Sequence, residues 1–421
     1  MAEQLPSTWS LNREALAALQ VEKLNRLLDT VRADSPFYRE KLKDQPARVE
    51  SLEDLQRFPH TTKRELVEAE RSGAWRTRAQ EDYVRFHQTS GTSGSPMAVL
   101  DTAEDWEGWL GSWSHTLTAA EIGVGDRALL AFSFGPFIGF WTAFEALIRC
   151  GVRVLPGGGM NTPSRLDLIE RSGATCLLGT PTYVLHLARA GRELGIDVAS
   201  LPIEKVLVAG EPGGSLPATR ERIAEAWGAR VIDHAGATEA GAWGFGDDLW
   251  SDPPGLRVVE SDFVAEFESV ETGQPASPGE LSHLVLTNLV RPGSPIIRYR
   301  TGDLVRSEWP EAGPCQFVRL AGGVIGRADD MVVIRGVNVF PSSIEEVLSS
   351  TEGIDQWRLI AERRGEMDEL LLEVEDQQSH PDRLTELLQV RLGLRIEVRL
   401  VEPGSLPRTE HKSRRLIDKR L

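Results

Sequence analysis

The chain has 421 residues, 41% hydrophobic and 26% charged, too long for one ordinary core but with apolar content enough for two or three. Its 63 acidic and 47 basic residues give a formal net charge of -16, which repels nucleic-acid phosphates and argues against a nucleic-acid partner. No run approaches the roughly 18 uninterrupted apolar residues of a membrane span, and Met1-Ala2-Glu3-Gln4 lacks the basic start of a secretion signal, so a cytoplasmic protein without a membrane partner is expected.

In chain order, the first dense feature is His87-Gln88-Thr89-Ser90-Gly91-Thr92-Ser93-Gly94-Ser95-Pro96. Glycines let a backbone turn its N–H groups toward an anion, and hydroxyls can follow phosphate oxygens. Read alone, such a run is as readily a solvent-exposed turn, and it is not the glycine loop that ends in Gly-Lys-Ser/Thr. Trp106, Trp109 and Trp113 follow at helical spacing, which predicts core packing.

From about residue 127, short apolar runs at 127–132, 152–155, 175–178, 205–209 and 229–232 alternate with helical stretches, predicting parallel strands with crossover helices. Each run is followed by a glycine-containing loop, and in such sheets the ligand lies beyond the carboxyl ends of the strands, so the loops should converge on one crevice. Runs at 256–260, 263–267 and 284–287 predict a small β-rich subdomain. Past Gly326 the pattern resets, with a strand at 331–334, a helix opening at Pro341 and a strand at 369–373. The expected division is therefore a large unit over 1–328 and a small α+β unit over 329–421. Cys150, Cys176 and Cys315 lie far apart without metal-ligand spacing, so buried free thiols and no structural metal are expected.

Further blocks stand at 35–39, Thr61-Thr62-Lys63, 179–183, Ala209-Gly210-Glu211-Pro212, Gly236-Ala237-Thr238-Glu239, Arg298-Tyr299-Arg300-Thr301-Gly302-Asp303, Gly326-Arg327-Ala328-Asp329 and Pro407-Arg408-Thr409-Glu410-His411-Lys412. In this order they resemble the adenylate-forming superfamily of acyl-CoA synthetases, and more closely its phenylacetate-coenzyme A ligase branch, over nearly the whole chain. The resemblance implies an α/β fold with a large N-terminal adenylate-forming domain of parallel sheets and a small mobile α+β C-terminal lid. It implies an ATP-dependent acid-thiol ligase that converts an aryl carboxylate to acyl-AMP, releases pyrophosphate and passes the acyl group to coenzyme A. ATP, Mg²⁺ and CoA are the expected cosubstrates and cofactor, and a homodimer is expected.

On the same resemblance, Ser90, Gly91, Thr92, Ser93 and Gly94 bind the β- and γ-phosphates, Thr238 donates to the α-phosphate, and Glu239 holds Mg²⁺. Asp303 accepts from both ribose hydroxyls. Gly210, Glu211 and Pro212 lie along the adenine, and Asp233, Ala235, Gly236 and Arg327 complete the nucleotide site. Lys412 reaches the α-phosphate and carboxylate during adenylation, Asp329 is the hinge, and Gly336 lets the CoA arm pass. Phe134, Phe137, Ile138, Tyr183, Ala237 and Trp243 are the expected acyl pocket. Arg298 and Arg300 are read as structural partners of acidic neighbours. The basic pairs Arg414-Arg415 and Lys419-Arg420 are open between a solvated helix end and contacts to CoA phosphates.

The sequence departs from its relatives in three places. Ser95 and Met97 stand where a lysine beside the phosphate-run proline is usual, Ala235 replaces an aromatic that stacks near adenine, and His411 replaces a glycine. Two alternatives accordingly remain: an adenylating enzyme that hands the acyl group to a carrier-protein phosphopantetheine or an amine, and a nucleotide-binding homologue without turnover.

Overall fold

The Ser/Thr/Gly run joins two paired strands, β1 (Tyr83–Gln88) and β2 (Ala98–Thr102), which run antiparallel with Gln88 opposite Ala98. The computed structural model describes residues 5–420 except 90–95, 133, 134, 137, 139, 140, 311, 312, 329, 330, 335, 336, 350, 352, 365, 366, 377–379, 393 and 407–414. The helix Ala103–Ala119 follows β2 directly, started by a capping box in which Thr102 and Asp105 satisfy each other's backbone donors. Trp106, Trp109 and Trp113 on this helix are buried, as the spacing predicts. Two of them also bind polar groups: Trp106 Nε1 donates to Glu145 (2.7 Å) and Trp109 Nε1 to Asp101 (3.2 Å).

The five apolar runs become β3 (Arg127–Leu130), β4 (Arg153–Pro156), β5 (Cys176–Gly179), β6 (Lys205–Ala209) and β7 (Arg230–Ala237). They lie side by side as β4-β3-β5-β6-β7, all parallel. β5 is buried along its whole length, because the crossover helices cover both faces, and its sequence is accordingly a continuous apolar run rather than an alternating one. Separate apolar clusters fill the two faces, one with Trp106, Trp109 and Trp113, the other with Leu187, Ile223 and Trp227.

The β-rich stretch is also formed, as β8 (Gly241–Gly246), β9 (Leu256–Val258), β10 (Phe263–Ser269), β11 (Leu281–Asn288), β12 (Tyr299–Glu308) and β13 (Arg319–Leu320). It is not free-standing: β8 pairs antiparallel with β7, and β13 bridges β9 to β12, so the sheet continues as β7-β8-β9-β13-β12-β11-β10. The two-residue strand β14 (Gly326–Arg327) then sets Arg327 opposite Asp303 on β12. Over this half lies the N-terminal helix Arg13–Asp34, capped by Asn12 and fastened by Arg13 to Glu260 (2.6 Å).

The C-terminal residues form β15 (Val332–Ile334), β16 (Val337–Val339), the helix Pro341–Ser349, β17 (Ile354–Arg364), β18 (Met367–Asp376), the helix Pro381–Leu392, β19 (Glu397–Leu400) and β20 (Leu416–Asp418). Their four-stranded sheet, β19-β18-β17-β20, carries its own apolar cluster, and the helix Pro341–Ser349 packs on the helix Pro217–Trp227 of the larger unit. The basic tail is no helix end. Leu416 is buried and pairs β20 parallel to β17, while Arg415 binds Glu345 and lies over the Trp357 ring (4.7 Å) and Arg420 binds Asp368 (3.0 Å).

No helix among the described residues is long and apolar enough to cross a membrane. Cys176 and Cys315 are buried, and burial pushes both thiols up to about 12, whereas Cys150 is partly exposed. A chromophoric thiol reagent at pH 8 is therefore expected to titrate at most one cysteine rapidly in the native protein and all three after denaturation. Two fast thiols in the native protein would contradict this packing.

Candidate active site

Between β7 and β8 the sheet switches from parallel to antiparallel, and the turn that makes the switch carries Thr238 and Glu239. Gly236 permits the turn, since a Cβ there would stand 2.9 Å from the Gly241 carbonyl oxygen. Glu239 is buried, and its Oε1 accepts from the Tyr299 hydroxyl at 2.7 Å and lies 3.5 Å from the Lys63 ammonium. Burial alone raises a carboxyl pKa, but Lys63 and the Tyr299 hydroxyl hold Glu239 below the ordinary glutamate value, so it is ionised at neutral pH.

Lys63 had no assigned role in the sequence reading, although the block Thr61-Thr62-Lys63 was visible. Its position follows from local rules. Thr61 is zipped to β12 by backbone bonds to Arg298 and Arg300 (2.8 and 2.9 Å), and Thr62 with Glu65 forms the capping box of the helix Lys63–Arg71. Lys63 is thus the first residue of a helix whose start is fixed against the strand carrying Tyr299.

The turn's backbone is held from the other side. Arg291 Nη1 donates to the carbonyls of Thr238 (3.1 Å) and Glu239 (2.8 Å), and Asn288 donates to that of Ala240 (2.8 Å). No spacing rule marks Arg291, a lone arginine between Val290 and Pro292.

Asp303 and Arg327, both expected at the nucleotide, are brought together: Arg327 Nη1 donates to Asp303 Oδ1 (2.9 Å) and to the Thr301 carbonyl (2.7 Å). Gly302, at φ 80°, leaves room for this guanidinium, which a Cβ would meet at 2.6 Å. Arg298 and Arg300 bind Glu266 and Glu268, as their acidic neighbours led us to expect.

At the end of β6, Gly210 turns at φ 92°, and Glu211 accepts from the backbone and hydroxyl of Thr182 (2.8 and 2.5 Å) at the start of the helix Pro181–Glu193; Pro212 follows, partly buried. Asp233 is closed in by Gly214 and Gly323, where a Cβ would lie 2.5 and 3.1 Å from its carboxylate oxygens. Its Oδ2 accepts from Ser215 (2.6 Å) and its Oδ1 from the His234 N–H (3.0 Å). Ala235 is buried opposite Gly244, so no ring occupies the position where relatives are expected to stack one. The neighbouring His234 is held neutral, burial taking it down to about 3, with its ring 4.0 Å from that of Trp113.

Burial outweighs the hydrogen bonds at Asp233 and raises its pKa from 3.8 to about 6. The unfolded chain therefore releases this proton first as pH rises. The associated stability is intact below about pH 4, declines through pH 4 to 6, and is down by about 3 kcal/mol at pH 7. Asp233→Asn removes the charge, still accepts from the His234 N–H and can donate to the Ser215 hydroxyl in place of accepting from it, and is expected to raise the melting temperature of the unliganded protein at pH 7.5 while leaving it nearly unchanged at pH 4. A variant that melts lower at both values would contradict this.

Of the expected acyl-pocket residues, Ile138 and Ala237 are partly buried at the edges of two apolar clusters. The Tyr183 ring lies under the Arg165 guanidinium (4.8 Å), with its hydroxyl 3.3 Å from Thr162. Trp243 departs from the expectation: β8 is buried throughout, and Trp243, 1% exposed, is a core residue rather than a pocket wall. Ser90, Gly91, Thr92, Ser93, Gly94, Phe134, Phe137, Asp329, Gly336 and Lys412 lie outside the described residues.

A buried ionised glutamate and an Asp–Arg pair stand at the switch region of the α/β sheet, where such folds place their ligands. Residues 14–281 match the family model of the AMP-binding enzymes and residues 336–420 that of the AMP-binding enzyme C-terminal domain, and the chain belongs to this family. It is 31% identical over 445 residues to phenylacetate-coenzyme A ligase of Thermus thermophilus, covering 99% of each chain, and 31% identical over 423 residues to that of Escherichia coli, covering 97% of this chain and 95% of the other. The crystal structure of 2-hydroxyisobutyryl-CoA ligase in the postadenylation state with R3-HIB-AMP has a TM-score of 0.91 and 26% identity, covering 100% of this chain and 95% of that one. The same ligase with 2-HIB-AMP and CoA in the thioesterification state gives 0.74 at 27% identity, covering 99% and 94%.

Proposed function

We propose that the protein is an ATP-dependent, AMP-forming ligase that activates a carboxylic acid as its acyl-adenylate and transfers the acyl group to coenzyme A. The observation that carries this reading is Glu239, ionised and buried beside Lys63 at the turn where the sheet reverses. Carboxylate is a poor electrophile with a poor leaving group, and joining it to AMP with loss of pyrophosphate corrects both faults. The protein must then bind a polyphosphate, neutralise it and orient the acid for in-line attack.

The residues fit a magnesium ion. Among the described residues no group of three or more His, Cys, Asp or Glu could hold a metal, and Mg²⁺ characteristically takes one or two carboxylates and completes its shell from phosphate and water. Glu239 would hold the ion, which when bound neutralises phosphate charge. Lys63 presents a cation beside Glu239 and so supplies charge that Ser95 and Met97 do not. Asp303 offers the Oδ atoms for the ribose, with Arg327 holding the carboxylate in place. Thr238 faces the α-phosphate, and Ser90, Thr92 and Ser93 meet the β- and γ-phosphates. Residues 329–421 move as a lid about Asp329 and bring Lys412 and Gly336 to the crevice in turn.

The acid is of aryl or arylacetic type, in keeping with the names of the phenylacetate-coenzyme A ligases and with the partly buried Tyr183, Ile138 and Ala237. The decisive experiment is pyrophosphate release from MgATP across benzoic, arylacetic, cinnamic, short aliphatic and branched hydroxy acids, with and without CoA. Release confined to aryl acids and accelerated by CoA is expected. Indifference to CoA would replace it as acceptor by a carrier-protein thiol or an amine, and no release with any acid would favour a homologue without turnover. A homodimer accompanies this reading, and sedimentation as a monomer would refute it.

A further inference from the structure

Arg298 is one of two non-glycine residues, among those described, whose backbone enters the left-handed region, at φ 46°. A residue with a Cβ holds that conformation only where its surroundings impose it, and such residues gather at functional sites. The side chain is gripped at each edge. Nε donates to both oxygens of Glu266 (3.1 and 3.0 Å), Nη2 to Glu268 (3.1 Å), and Nη1 to the carbonyls of Gln56 (2.8 Å) and Phe58 (2.5 Å), while the Arg298 N–H donates to the Thr287 hydroxyl (2.9 Å). These acidic and carbonyl partners account for the guanidinium but not for the φ.

What a left-handed residue settles is the heading of the chain beyond it, and here that is Tyr299, the first residue of β12. The turn is held on both sides. Before it, the Ile297 N–H donates to the Tyr38 hydroxyl (3.0 Å) and the Ile297 carbonyl accepts from the Thr61 hydroxyl (2.7 Å); beyond it, the backbone bonds of Thr61 to Arg298 and Arg300 bracket Tyr299. The Tyr299 ring, 1% exposed, then delivers its hydroxyl to Glu239 Oε1 at 2.7 Å. Lys63, two residues beyond Thr61, addresses the same oxygen. Two groups registered by one threonine thus fall on Oε1, and Oε2 is left for a cation.

We infer that Tyr299 is a positioning residue: through its hydroxyl it holds Glu239 in the orientation that binds the divalent cation of the nucleotide. The inference rests on the proposed function in taking ATP with that cation as the ligand. Groups that hold a metal-binding carboxylate tune the affinity of the site without touching the metal, and removing one typically costs about 10- to 100-fold. A tyrosine that only fills the core would support ATP alike with and without the metal, whereas one acting through Glu239 affects the metal-bound form alone.

The test measures ATP affinity by equilibrium titration, with Mg²⁺ present and with divalent metal removed by a chelator, in the parent protein, Tyr299→Phe, Glu239→Gln and the double variant. Phenylalanine keeps the ring that fills the core and removes only the hydroxyl. In the double variant no carboxylate loses its donor, so its comparison with Glu239→Gln stays informative where Tyr299→Phe alone does not fold. Tyr299→Phe is expected to weaken ATP binding in Mg²⁺ on the order of tenfold and metal-free ATP binding by less than about twofold. In the Glu239→Gln background it should add no more than about twofold, since its effect passes through the carboxylate. Equal weakening with and without metal, no weakening in either, or a full further loss in the Glu239→Gln background would overturn the inference, as would a parent whose ATP affinity ignores Mg²⁺. A parent that binds ATP more tightly with Mg²⁺ but releases no pyrophosphate with any acid fails the proposed function, while the four-way comparison still decides the role of Tyr299.

Discussion

Glu239→Gln is expected to lower kcat/KM for carboxylate-dependent pyrophosphate release by about two to three orders of magnitude, with little loss of stability. Glutamine matches the volume and can still accept from the Tyr299 hydroxyl, so the 2.7 Å bond and the packing survive. What goes is the charge. Lys63, at 3.5 Å, is 36% exposed and can turn to water, so no buried cation is stranded. A neutral amide is a poor ligand for a hard divalent ion, so the magnesium requirement should shift to higher concentration along with the loss of rate. Titrating the rate with Mg²⁺ checks this: a variant with the parent's magnesium dependence would remove Glu239 from the cation site.

How far the sequence discloses such a site depends on the range of the interactions that build it. The parallel strands were legible because strands covered on both faces must be apolar throughout, and β5 reads Cys-Leu-Leu-Gly. Asp303 and Arg327 stood in separate blocks, and only the pairing of β14 with β12 makes them partners. Lys63 and Arg291 were not assignable. Each acquires its role from contacts across more than 50 residues of chain, Lys63 to Glu239 and Arg291 to Asp101, and no local period carries such information. Trp243 failed for the converse reason. An aromatic beside a glycine-rich turn looks like a pocket wall, but β8 continues the sheet inward and both its faces are covered. The tail was left open between a solvated helix end and CoA contacts, and its fold is settled by partners distant in the chain: Arg415 meets the Trp357 face and the Glu345 carboxylate, and Leu416 commits the strand.

Lys412→Ala is expected to reduce adenylation by about three orders of magnitude while leaving thioester formation from a preformed acyl-adenylate within about twofold of the parent rate. The two described residues that flank its segment explain why the half-reactions should separate. Leu406 donates its N–H to Glu375 at 2.9 Å, and Arg415 is held by Glu345 and Trp357, so both ends are fastened to the C-terminal sheet. Lys412, which lies between them in the sequence, is expected to travel with that sheet. The arrangement here is more similar to the postadenylation crystal structure of 2-hydroxyisobutyryl-CoA ligase, at a TM-score of 0.91, than to its thioesterification structure, at 0.74. On the proposed lid motion, a lysine that rotates away before thiol attack would contribute its charge to the first transition state and nothing to the second. Single-turnover measurement of each half-reaction decides the matter: equal loss in both would mean that Lys412 supports the site without serving the adenylation step.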